Sequence, residues 1–286
     1  MTGNPTLSAD LIADVRQLLA FPFMVHALEA GTIVAVLAAV VGWYMVLRRQ
    51  SFAGHTLSVM AFPGATGAAL AGLPSALGLY LVCGAAAAAI GGTSARGGRS
   101  LGRETAAIGT IQTFGLAAGF LFLSLNSAVL GGPETLLFGT FLGVSSGQVL
   151  ALAVVALVVL AVLALIGRPL LFATIDPEVA DARGVPVRAL DIGFLLLLGL
   201  AVAATSQITG ALLVFALLVA PAASAQLITS RPVAGLLLSV VFAVLVVWLA
   251  LALAYFSIYP IGFYVTSLAL GLYVLIQAGQ RIARRA

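Results

Sequence analysis

Among the side chains of this 286-residue chain that are able to hold a metal ion, two groups stand out. His26 and Glu29 stand three apart, which puts an imidazole and a carboxylate on one helical face, where they either receive a cation or simply meet water. His55 follows Arg48 by seven residues in "RRQSFAGHTLSVMAFPG" (48–64), beside a charged border and ahead of a Pro-Gly pair. Met60 adds a thioether, either a soft ligand or a packing residue. Cys83 is the single cysteine, so no disulfide framework or CxxC metal site exists, and it reads as a small apolar filler. There is no HExxH and no nucleophile elbow. All 13 basic residues are arginine, which excludes the lysine of a Walker A loop. Such a set points to a conduit rather than to catalysis by this chain, with energy drawn from an ion gradient or from a partner.

The elements that must position these groups are membrane helices. Of all residues 62% are hydrophobic and 8% charged, with mean hydropathy +1.20, against about 25% charged in a soluble domain. A surface with so little charge must face lipid. Runs of about 20 apolar residues give about nine candidate spans: 26–47, 56–72, 74–93, 105–125, 147–167, 190–206, 208–228, 233–256 and 261–279. The stretch 190–228 reads either as two spans or as one broken hairpin. The expected fold is an all-α integral membrane protein, a polytopic helix bundle.

The arginines check this count. Arg48 and Arg49 follow the first span; Arg96, Arg99 and Arg103 the third; Arg168, Arg183 and Arg188 the fifth; Arg231 the seventh; Arg281, Arg284 and Arg285 the ninth. Only Arg16 lies on the other side. The positive-inside rule then places the N-terminus outside and the C-terminus in the cytoplasm of a cell-membrane protein. It also accounts for the sequence pI of about 9.7 without a nucleic-acid partner. The expected organisation is an extracytoplasmic segment 1–22, a transmembrane domain 23–280 and a basic tail 281–286. In the first of these, Ser8 caps a surface helix or the segment is a loose tail; it carries Asp10 and Asp14 and is not a convincing cleavable signal.

Ionised groups are absent from the span centres, where each would cost about 2.5–3.5 kcal/mol on insertion scales. Glu104 and His55 sit at inner borders, while Thr66, Gln112, Gln207, Ser224 and Gln226 lie within spans. Glu134, beside Gly131-Gly132-Pro133, is the main outside feature. Glycines at spacing four (115 with 119, 139 with 143, 143 with 147) suit close helix packing. Pro63 with Gly64, and Pro221, are expected helix kinks. The most polar inside stretch is the loop 168–191, "RPLLFATIDPEVADARGVPVRALD". There Asp176 is an expected N-cap with Pro177 at the first helical position, and Glu178 suits the helix dipole. The short helix runs through Arg183 and stops at Gly184, with Pro186 barring continuation. It is either a plain connector or a piece shaped to fit a partner's groove.

Residues 48–64 resemble the first cytoplasmic turn and second span of ABC-type metal-ion (zinc and manganese) importer permeases, through Arg48, Arg49, Ser51, Phe52, Gly54, Leu57, Pro63 and Gly64. The resemblance continues in "ETAAIGTIQTFGLAAGFLFLSL" (104–125), "LLFGTFLGVS" (136–145), "DPEVADARGVPVRALD" (176–191) and "TGALLVFALLVAPAASAQLIT" (209–229). It implies a type II-like importer permease, a transporter subunit rather than an enzyme. The permease works as a homodimer around a central path, with two cytoplasmic ATPase subunits that carry the ATP and an extracytoplasmic binding protein. Its cargo is zinc, manganese or iron, and it keeps no permanently bound cofactor. The resemblance makes Asp176, Pro177, Glu178, Arg183 and Gly184 the coupling contacts to the ATPase.

The departure lies in the path. Where the family places Asp and His four apart in the second span, this chain has His55 and Val59. His55 is either one of two imidazoles facing across a dimer axis, which favours zinc, or a group that caps the helix end or meets headgroups. Met60, His26 and Glu29 complete the candidate path set, the last two at the mouth or against the binding protein. The alternatives are a branch with the same fold and another solute or metal complex, and an ion-gradient-driven carrier, which would need midplane charges that the spans lack.

Overall fold

The computed structural model describes residue 17 and residues 20–94, 101–125, 139, 143–257 and 259–283. Within them lie ten helices: α1 (Pro22–Leu47), α2 (Ser51–Leu70), α3 (Ser75–Ser94), α4 (Leu101–Leu125), α5 (Ser146–Ile175), α6 (Pro177–Ala182), α7 (Val187–Thr209), α8 (Ala211–Ile228), α9 (Pro232–Tyr255) and α10 (Ile261–Ala283). The described residues contain no strand. The segment 126–138 with Glu134, most of the N-terminal segment, and arginines 96, 99, 284 and 285 lie outside the described residues, as do the side chains of Arg103 and Glu104.

Seven helices are long and apolar enough to cross a membrane by themselves: α1, α3, α4, α5, α7, α9 and α10. The two other long helices, α2 with 20 residues and α8 with 18, complete a one-to-one match with the nine expected spans. Helix α2 owes its lower hydropathy to Ser, Thr, Gly and Pro. These are tolerated because it is buried in protein from Ala53 through Thr66, His55 excepted. Lipid-facing helices show the opposite pattern: Phe114 is 75% exposed, Leu165 80% and Leu275 73%, as expected where the solvent is hydrocarbon.

The chain divides into two compact units. The first comprises Tyr44–Gly139 and Val155–Phe215. In it, α2 packs on α3 at a glycine pair, where a Cβ on Gly64 would stand 2.6 Å from the Gly78 carbonyl oxygen and one on Gly78 would strike the Gly64 carbonyl. Gly115 and Gly119 of α4 bear out the small-residue expectation, since they receive Met60 and Phe62 of α2. A Cβ on Gly199 of α7 would stand 3.0 Å from both the Cys83 carbonyl oxygen and the Ala87 Cβ, so α7 also lies tight on α3. Two side-chain bonds join helices here: Thr56 donates to Gln112 at 2.9 Å, and the Gln207 amide donates to the Tyr80 hydroxyl at 3.0 Å.

The second unit comprises Met1–Trp43, Thr140–Val154 and Ala216–Ala286. A Cβ on Gly42 would strike the Leu218 carbonyl, so α1 and α8 touch backbone to backbone. Ser239 of α9 donates to the Ala39 carbonyl at 3.2 Å, Trp248 to the Thr32 hydroxyl at 2.9 Å, and Gln226 to the Trp43 carbonyl at 2.9 Å. Gln226 thus satisfies an α1 carbonyl, as expected of a polar side chain within a span.

Two local expectations need correction, and one open alternative is decided. Helix α5 does not end near residue 167 but runs on through Pro169 to Ile175. Proline within a membrane helix is tolerated where the freed backbone groups find other partners, so only the stretch around α6 separates α5 from α7. Gly139 and Gly143 lie outside the long helices, and no neighbour stands within 4 Å of a Cβ placed on Gly143. Gly139 instead has φ +71 and abuts the Ile208 carbonyl, so it serves a close approach and not a helix seam. Residues 190–228 form two helices broken at Gly210, whose φ of +76 a side chain rarely adopts.

Candidate functional site

Helix α6 is built by its own sequence. The Asp176 carboxylate accepts from the Val179 N–H at 3.0 Å, and Pro177 fills the first position, where no N–H is needed. At the other end the Val185 N–H bonds to the Ala180 carbonyl at 3.0 Å and the Gly184 N–H to that of Asp181 at 2.9 Å. With Gly184 at φ +79 this is a Schellman stop. Only Ala180 of α6 is buried. Glu178, Asp181 and Arg183 are exposed around it, so the helix offers charged groups outward from a single apolar anchor.

His55 lies one turn inside α2 and is half-buried. Its ring meets Phe215 edge-on, centroids 4.8 Å apart, and its carbonyl accepts from the Ser58 hydroxyl at 2.7 Å. The His55 Nδ1 is buried and has no hydrogen-bond partner. A buried imidazole nitrogen without a partner is costly unless something binds there. Met60 is 4% exposed and fills the notch at Gly115. Pro63 and Gly64 lie in the buried part of α2, and Pro221 is buried within α8. In the second unit, His26 is half-buried and Glu29 exposed on α1. The structure does not bring His26 and Glu29 together with His55 in one unit. No group of three or more His, Cys, Asp or Glu side chains suited to hold a metal occurs among the described residues.

Sequence reading missed Asp191 and the interior role of Arg48. Arg48 was expected only to mark the membrane border, yet its side chain is 7% exposed. It pairs with the Asp191 carboxylate of α7, donates to the Thr174 hydroxyl of α5 at 2.8 Å, and stacks over the Phe194 ring at 5.3 Å. Arg48 and Asp191 are 143 residues apart, so no spacing rule links them. The one available signal was an Asp at the start of an apolar span, opposite an arginine at the end of another.

Long apolar helices, a buried α2 that carries polar residues and an exposed short helix between two spans define a polytopic membrane protein. Residues 20–280 match the ABC 3 transport family, and the chain belongs to it. It is 33% identical to the manganese transport system membrane protein MntC of Halalkalibacterium halodurans, over 85% of this chain and 81% of that one. It is 35% identical to the chelated iron transport system membrane protein YfeC of Yersinia pestis, over 74% and 70% of the two chains. Among solved structures, PsaBC from Streptococcus pneumoniae in complex with Fab superposes with a TM-score of 0.82 at 25% identity, covering 93% of this chain and 95% of that one.

Proposed function

We propose that this chain is the transmembrane subunit of an ATP-binding cassette importer that carries a divalent first-row metal ion into the cytoplasm. The observation that carries the proposal is α6, an exposed charged helix, fixed at both ends and held between two spans. Nothing about crossing a bilayer requires such a piece, whereas docking into a cytoplasmic ATPase does. Asp176 and Pro177 set its start and Gly184 its stop, while Glu178 and Arg183 meet the partner. ATP is bound and hydrolysed in that partner. The arginine distribution supports an outside N-terminus and a cytoplasmic C-terminus.

A second copy of the chain completes the path, because the described residues of one copy hold no group of three or more ligand side chains. Two His55 imidazoles facing one another would supply borderline nitrogen ligands, each with a buried Nδ1 that lacks a partner. His26 and Glu29 receive the ion from an extracytoplasmic binding protein at the mouth. The names of the relatives support manganese and iron as cargo; the imidazole at position 55 supports zinc. The docking claim is tested by reversing charge on α6 (Glu178→Arg with Arg183→Glu) and purifying the complex from membranes. Loss of the ATPase from a permease still inserted at normal level is the expected result. Retention of the ATPase at wild-type stoichiometry contradicts it.

A further inference from the structure

We propose that Arg48 is a positioning residue that carries movement of α6 to the start of α2, and so to the segment that holds His55. The inference rests on the reading of α6 as the ATPase-docking helix. Helix α6 hangs between two arms, the end of α5 and the beginning of α7. Arg48 grips one group on each arm, the Thr174 hydroxyl and the Asp191 carboxylate, and its guanidinium lies over Phe194 one turn further along α7. A planar guanidinium is suited to this because it can donate in several fixed directions while stacking on a ring. The two arms therefore cannot shift without moving Arg48 or breaking its bonds.

The link from Arg48 to α2 is short and stiff. The Gln50 N–H bonds to the Met45 carbonyl and the Arg49 N–H to that of Val46, both at 3.0 Å. This is again a Schellman turn, but the left-handed position is held by Arg49 at φ 59 where glycine is usual. A turn that keeps a side chain in that region is over-determined by its surroundings. Helix α2 begins at Ser51, three residues after Arg48, and His55 follows within its first turns. Movement of the arms thus reaches α2 through one buried side chain and one closed turn. An ion pair kept only for stability would be a weak use of a buried arginine, since an apolar replacement often serves as well.

The test uses the assembled complex of permease, partner ATPase and binding protein in proteoliposomes, with manganese(II) as probe. Removing Arg48 risks misfolding, so the main variant is Asp191→Asn with Thr174→Val, which loosens both grips and leaves the arginine in place. Two readouts are taken: manganese taken up per ATP hydrolysed, and the distance between spin labels at Ile175→Cys and Phe52→Cys in a Cys83→Ala background. The expected result is ATP hydrolysis near the wild-type rate with uptake per ATP reduced about tenfold, within the 5–150-fold range usual for coupling between sites. Asp191→Glu alone should keep the wild-type ratio. The label distance should stay constant on ATP binding in the wild type and change in the double variant. Uptake and hydrolysis that fall in proportion, or a label distance that changes equally in both proteins, overturns the proposal. A wild-type complex whose label distance behaves as expected while no metal accumulates overturns the cargo reading and leaves the Arg48 link standing.

Discussion

His55 shows how much a single residue leaves open until its surroundings are known. Its Nδ1 is buried without a partner and its ring is braced against Phe215, so a bound ion would meet an imidazole already fixed in place. Replacing His55 with Ala should abolish metal uptake by the assembled transporter without lowering its amount in the membrane; unchanged uptake at equal protein level would return the residue to a structural role. Thr56, its neighbour, makes a different kind of contribution by donating to Gln112. Thr56→Val should lower stability by only about 0.6 kcal/mol, the average for hydrogen bonds between membrane helices, as read by thermal inactivation in detergent. Residues whose role is local were legible in the sequence: the cap at Asp176 and the stop at Gly184. Arg48 was legible as a border residue and illegible as a clamp, because its partners Thr174 and Asp191 are brought to it by tertiary packing alone.

Elements show which small residues matter and why. Gly78 and Gly115 look alike in sequence, each a glycine in an apolar helix. A Cβ on Gly78 meets backbone at Gly64, which cannot yield, whereas one on Gly115 meets the flexible end of Met60. Gly78→Ala should therefore cost about 1–3 kcal/mol or more of overpacking, and Gly115→Ala clearly less, a contrast that detergent melting curves of the two variants can read. In the turn between α1 and α2, Arg49→Gly removes the side chain from a left-handed position and should raise stability by about 1–2 kcal/mol. The capped α6 could be read from residues 176–184 alone because caps and stops are local devices. The end of α5 could not, since local rules stop a helix near a proline, yet α5 runs on through Pro169 to Ile175.

At the scale of the whole molecule, the sequence pattern was strongest. Nine apolar runs with arginines after each odd one correspond to nine long helices among the described residues, and most polar side chains of α2 are buried in protein. Apolar periodicity could not identify which helices line a path, because lipid and neighbouring helices are equally apolar and leave no contrast between the faces of a span. Membership in the ABC 3 transport family supplies the frame for the proposal that α6, Arg48 and α2 make one connected device. The most direct test is uptake of manganese(II), iron(II) and zinc(II) into proteoliposomes holding this permease, its ATPase and its binding protein. Accumulation of at least one of the three metals, dependent on both ATP and the binding protein, is the expected result. A complex that hydrolyses ATP while none of the three accumulates would contradict it.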